Sequence, residues 1–135
     1  MALFVWIVMD KDDFDDFDNA ISEAENHGYK VAWSNQSFEY WLFLHFDYLE
    51  SDLHRNDLEK KLNKSFSAYC LGDGKYRKSD QDLFDKLNSI DGVKTAIGNA
   101  KRRMANFNSR KDKPSQYAPG TMVHILVGEL LDYLN

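Results

Sequence analysis

Two aspartates, Asp10 and Asp12, stand where an apolar run ends. That run, Leu3-Phe4-Val5-Trp6-Ile7-Val8-Met9, is rich in β-branched and aromatic residues and reads as a buried strand over 3–9. In open α/β sheets the carboxyl ends of strands are where ligands collect. Carboxylates two residues apart at such an edge repel each other unless a cation lies between them, and hard oxygen donors of this kind suit Mg²⁺ or Mn²⁺. A cation held there would neutralise charge on a phosphodiester and lower the pKa of an attacking water. The plainer alternative is that Asp10 ends the strand and Asp12 caps the next helix. The tripeptide alone does not separate these readings.

Glu39 is the second candidate, as a further ligand or a general base. Its neighbours Phe38, Tyr40, Trp41, Leu42, Phe43 and Leu44 make burial the rule on most sides, and a carboxylate is costly to bury without a partner. The alternative is a solvent-facing place in a first helical turn, where the dipole favours negative charge. His45 is a candidate catalytic group because a neutral imidazole can move protons near pH 7; a core histidine bonded to a backbone carbonyl is the structural alternative, and His124 has the same two readings. For nucleic acid, two basic stretches stand out. One is Lys75, Arg77 and Lys78 around Tyr76, where the cations can hold phosphates and an exposed tyrosine can stack on a base. The other contains Lys101, Arg102, Arg103, Arg110, Lys111 and Lys113; solvated helix faces and loops give similar patterns. Gly72-Asp73-Gly74-Lys75 lacks the preceding strand and the spacing of a phosphate loop. No serine or cysteine has the surroundings of a nucleophile.

The charge is unevenly distributed. The net charge is −5, yet residues 1–59 hold 14 acidic and 3 basic side chains, whereas residues 60–135 hold 8 and 14. Such asymmetry suits a polyanion binder whose acids serve metals, and equally helix faces that differ in solvating charge. At 135 residues and 43% hydrophobic the chain is one folded domain by length and composition. No apolar run approaches the roughly 20 residues that span a bilayer. Met1-Ala2-Leu3 lacks the charged start of a signal peptide. One cysteine, Cys70, excludes an internal disulfide and a cysteine-built zinc site, and is expected to be semi-buried. The expected location is the cytoplasm.

These residues must be positioned by a small α/β framework. A helix is expected over 13–27, with Phe14, Phe17, Ala20, Ile21 and Ala24 on one stripe, Asp12 or Asp13 as cap and Gly28 as a left-handed terminator. A second strand follows over 29–33, parallel to the first by the usual right-handed crossover. Ser34-Asn35-Gln36-Ser37 reads as a loop that caps a buried helix over 37–46. Further helices are expected over 54–64, 80–89 (Ser79 as cap), 92–107 and 121–134 (Thr121 as cap), with loops over 71–78 and 108–120. Two strands rarely form a stable sheet alone. Either a partner chain supplies more, through the open edge of a homodimer or as a separate subunit, or a strand lies upstream.

Taken in order, these segments resemble the RloB-like family, which is associated with restriction–modification and phage defence and related to the Toprim fold. The resemblance rests on Asp10-Lys11-Asp12, on Ser34-Asn35-Gln36-Ser37-Phe38-Glu39-Tyr40-Trp41-Leu42-Phe43-Leu44-His45-Phe46, on Tyr76-Arg77-Lys78, on the Ala96–Ala100 helix, and on Pro119-Gly120-Thr121-Met122-Val123-His124. The Ser34–Phe46 segment is the specific part. The resemblance implies a partial Toprim-like α/β fold with a small parallel sheet and a helix-rich C-terminal part, in a single domain spanning 1–135. It implies a Mg²⁺-dependent, nuclease-type activity with Asp10 and Asp12 as metal ligands and Glu39 as a further ligand or base. Gln36 replaces the family's usual proline and Gly120 its serine; neither change removes a charge. Toprim-like proteins also carry a glutamate on an earlier strand, followed by a helix. Neither is present here, so the chain resembles roughly the C-terminal two-thirds of such a domain. A non-catalytic remnant or regulatory subunit is the alternative.

Overall fold

The computed structural model describes residues 4–134. Leu3, the first residue of the expected strand, lies outside them, as do Met1 and Ala2, on which the signal-peptide reading rests. Strand β1 is Trp6–Asp10, helix α1 Phe17–Asn26, strand β2 Lys30–Asn35 and helix α2 Phe38–Phe43. Helices α3 (Arg55–Ala68), α4 (Leu83–Ser89) and α5 (Gly92–Met104) follow. A short 3₁₀ turn at Pro114–Gln116 and a two-residue strand β3 (Gly120–Thr121) lead into helix α6 (Val123–Leu134). The sheet order is β1-β2-β3. Strands β1 and β2 are parallel with Asp10 opposite Ser34, as the crossover rule requires. The expected small α/β sheet with its parallel pair is present, and a third strand not foreseen, β3, pairs antiparallel to the end of β2.

The two faces of β2 divide the core. Ala32 turns toward α2, α3 and α5, where Tyr40, Leu44, Leu58, Leu62, Phe66, Ala96 and Ala100 form the larger cluster. Trp33 turns the other way, onto Phe17 and Ile21 of α1 and Met104 of α5. Its ring meets Phe17 and Phe107 edge-on, at centroid separations of 6.0 and 5.5 Å. Period-two alternation along one strand thus assigns α1 and α2 to opposite sides of the sheet.

Local departures from expectation have local causes. Helix α1 starts at Phe17 with Asp16 in the capping position, because Asp12 takes a left-handed conformation (φ 47°) and its carboxylate is bonded to Arg55. Phe14 is therefore off the helix and exposed. Gly28 does terminate α1 with φ 84°, a geometry that disfavours a Cβ. Strand β2 runs into the segment expected as a loop. Ser34 Oγ lies 2.8 Å from Thr121 Oγ1 of β3, and Asn35 Nδ2 donates to Pro114 O of the 3₁₀ turn at 2.9 Å, so these polar residues find partners far along the chain. Ser37 occupies the capping position of α2 in extended conformation but makes no cap bond through its side chain. Asp82, not Ser79, precedes α4. Thr121 Oγ1 accepts the Val123 N–H at 3.3 Å, a capping contact at the start of α6. Cys70 is exposed rather than semi-buried, in a left-handed turn after α3.

Candidate metal centre

Asp10 is the last residue of β1, and α2 begins three residues beyond the end of the neighbouring strand β2. The first turn of α2 therefore faces the carboxyl edge of the sheet, and Glu39 comes within electrostatic reach of Asp10. Burial pushes the Asp10 carboxyl above its ordinary range; the Phe38 backbone N–H pulls it down, Asp12 pushes it up, and Lys78 and Arg55 pull it down. Burial likewise pushes Glu39 up, with Lys78 acting against this, Asp10 adding to it and Tyr76 acting against it. Asp10 thus adds to the rise of Glu39, and Lys78 is the cation common to both.

Glu39 is 1% exposed. Its Oε2 accepts a hydrogen bond from the Tyr76 hydroxyl at 3.2 Å, while Oε1 is buried with no partner. A buried carboxylate oxygen left bare carries a substantial desolvation penalty, and protons or a cation are what would relieve it. Asp12 is engaged differently: its Oδ1 meets Arg55 Nη1 at 2.8 Å. Among the described residues no three or more His, Cys, Asp or Glu side chains are gathered closely enough to hold a metal. The donor set instead suits a hard cation held by one or two carboxylates, with water and substrate oxygens completing its shell, which is the usual habit of Mg²⁺. Asp10 and Glu39 are the two carboxylates that could serve in this way.

The other sequence candidates lie as follows. His45 is buried, with Nδ1 3.1 Å from the carbonyl oxygens of Trp41 and Leu42 and its ring edge-on to Trp41; burial pulls its pKa down. That is the core-histidine alternative, and no hydrogen bond links His45 to Asp10, Asp12 or Glu39. His124 is also buried, with Nδ1 unpartnered, and lines a hollow of about 280 Å³ beside Lys101 and Met122. Tyr76 is not the exposed stacking platform expected. Its ring packs 5.9 Å from Phe66, and its backbone N–H is held by Asn63 Oδ1 at 2.8 Å. Arg77 is paired to Asp73 through both guanidinium nitrogens, while Lys75 and Lys78 are exposed. Arg102 stacks 3.7 Å over Tyr48, and Arg103 donates to Pro119 O at 2.7 Å and lies over Tyr117. The last two arginines are occupied with intramolecular partners.

Arg55 and Glu59, at the start of α3, were missed as neighbours of this centre. Arg55 carried a signal: it is the one basic residue between Lys30 and Lys60 in an otherwise acidic stretch. Its backbone N–H is also bonded to Gln36 Oε1, and Gln36 Nε2 donates to Asp13, which ties the β1–α1 turn to α3.

The family model described as RloB-like protein matches residues 4–130. The chain belongs to the RloB-like family. No curated protein and no solved structure matches it. Within this RloB-like chain, the segment that carried the resemblance, Ser34–Phe46, is the end of β2 and the whole of α2. It brings Glu39 to the sheet edge. Among the described residues no helix is long and apolar enough to cross a membrane.

Proposed function

We propose that this RloB-like chain is a Mg²⁺- or Mn²⁺-dependent, nuclease-type domain that acts on nucleic acid in defence against phage or foreign DNA. The single observation that carries the reading is the bare, buried Oε1 of Glu39 beside the raised carboxyl of Asp10. Bound there, a divalent cation supplies charge neutralisation at a phosphodiester and a more acidic water. The chain's own groups have separate tasks. Asp10 and Glu39 hold positive charge at the sheet edge. The Tyr76 hydroxyl fixes the rotamer of Glu39. Lys78, exposed and drawn to both acids, offers a contact for a phosphate, and Lys75 extends that basic rim. Asp12 joins the centre only if it exchanges its Arg55 partner for the cation.

Calorimetric titration with Mg²⁺ and Mn²⁺ tests this directly. Wild type should bind one cation, and Asp10→Asn and Glu39→Gln should each weaken binding by about tenfold or more, the loss expected when one charge-assisted contact is removed. Equal heats in all three proteins would refute the metal centre. Phosphodiester cleavage that requires the cation and disappears in both variants would establish the enzymatic reading.

The second reading is a non-catalytic member that binds nucleic acid or a partner. It is favoured by the Asp12–Arg55 pair and by the absence, among the described residues, of a three-ligand cluster. It predicts nucleic-acid affinity that falls steeply with salt and is indifferent to chelator.

A further inference from the structure

Three buried side-chain atoms lack a hydrogen-bond partner among the described residues. Ser37 Oγ and Glu39 Oε1 belong to the start of α2, whereas His124 Nδ1 stands apart, in the first turn of α6. His124 is 7% exposed. It lines a hollow of about 280 Å³ together with Lys101, Met104, Phe107, Ser109 and Ile125. Lys101 is exposed and makes no ion pair among the described residues. Burial pulls the His124 pKa down, the Thr121 backbone pulls it up, and Lys101 pulls it down. Lysine and imidazole are therefore within electrostatic reach of each other, and no carboxylate is among the groups acting on the ring. Water would satisfy Nδ1 but leave the neighbouring ammonium without a counter-charge. An oxyanion answers both, because a neutral imidazole can carry its proton on Nδ1 and a lysine donates in three directions.

The place of the hollow in the fold suggests which oxyanion. Thr121, at the cap of α6, pairs with Ser34, and Ser34 pairs with Asp10. Two strand spacings, about 10 Å, therefore separate Thr121 from the metal centre, which is on the order of three nucleotide rises along one strand. Arg110 and Lys111 lie exposed in the loop just beyond Ser109. Phe107, Ser109 and Met122 also border a neighbouring cleft that holds Asp15, Asp18 and Glu25, a field that repels phosphate and confines it to the hollow.

We propose that the hollow at the start of α6 is a phosphate subsite, where His124 and Lys101 hold a backbone phosphate of a nucleic-acid strand that continues to Asp10 and Glu39. This rests on the reading of the chain as one that acts on nucleic acid, and not on its metal. It gives Lys101 a task that Arg102 and Arg103, engaged with Tyr48 and Pro119, do not share.

Binding in chelator tests the subsite without the cation, with inorganic phosphate and with a short single strand, as DNA and as RNA. The ring-nitrogen resonances of His124, assigned by their loss in His124→Gln, should shift with phosphate and with strand. Chloride at equal ionic strength should not move them, and those of His45 should stay fixed throughout. Lys101→Gln should abolish the phosphate shift and reduce the salt slope of strand binding by about 0.7, the share of one phosphate. Lys60→Gln, on α3 across the sheet, should leave that slope unchanged. His124→Gln should weaken strand binding about tenfold, as for one charge-assisted contact. Asp10→Asn should keep the phosphate shift and Lys101→Gln should keep the Mg²⁺ heats, so failure of the metal centre and failure of the subsite are read separately. A His124 ring indifferent to phosphate, equal slopes in the Lys101 and Lys60 variants, or a response to inorganic phosphate but to neither strand overturns the proposal.

Discussion

Two acidic regions of this molecule look alike in sequence and differ in physical state. One lies in a cleft of about 510 Å³ between α1, β2 and the 107–114 segment, with Asp15, Asp18, Glu25 and Asp112 on its rim. The other is the cramped pair Asp10 and Glu39 at the carboxyl edge of the sheet. In the cleft the half-buried acids are satisfied: Asp18 accepts from Ser115 N at 2.8 Å and from Ser115 Oγ, and Asp112 accepts from Asn108 N at 2.8 Å. They tie loops to helices. At the sheet edge, Glu39 retains a bare buried oxygen, and burial raises both carboxyls. Room is a poor guide to chemistry here; unsatisfied charge is the better one.

Substituting the two regions in parallel breaks that comparison most decisively. Asp18→Ala should leave divalent-cation heats unchanged but lower stability by about 1–3 kcal/mol, the range for losing hydrogen bonds to a charged group, read by urea denaturation. Glu39→Gln should do the reverse, losing the cation while gaining stability in chelator. The sign follows from the raised carboxyl. An ionised Glu39 destabilises the native state once the pH exceeds its unfolded value of 4.5, and glutamine removes that charge but can still accept the Tyr76 hydroxyl. A gain of about 1 kcal/mol at pH 7 is expected. Cation loss in Asp18→Ala would place the centre in the cleft and sink the distinction.

A pH series gives a smaller effect. His45 is held neutral in the native state by burial, below its ordinary value of 6.5. Above about 6.5 both states are neutral and nothing is gained or lost. As the pH falls below that value the unfolded chain takes up a proton that native His45 does not, and stability declines until the lowered native value is reached. His45→Gln should flatten the denaturation midpoint between pH 6.5 and 5 without altering cation affinity at pH 7. The slightest effect expected is that of Arg55→Ala. Freeing Asp12 and removing a positive neighbour of Asp10 should tighten cation binding roughly threefold, a change in keeping with exposed ion pairs. Weaker binding would instead make Arg55 part of the centre's support.

Much of the framework was legible because short-range physics governs it. The apolar run before Asp10, the stripe Phe17–Ile21–Ala24 and the terminator Gly28 define strand, helix and turn from neighbours alone. The uniformly apolar segment around Glu39 favoured burial over a solvent-facing place, and the structure buries it. Strand β3 was illegible: Gly120–Thr121 becomes a strand only because Ser34 and Asn35 lie alongside. The role of Tyr76 was hidden in the same way, since nothing within ten residues tells its hydroxyl to seek Glu39 rather than a base.

The sequence by itself determined which acids exist, that the first strand runs into them, and that Glu39 would be costly to bury. Tertiary structure decided which of those acids are neutralised. It gave Asp12 to Arg55 and Asp18 to Ser115, and left Glu39 Oε1 bare. The reason is one of range: periodicity and capping act over a few residues, whereas the pairing of a buried charge depends on whatever group the folded chain brings within about 4 Å.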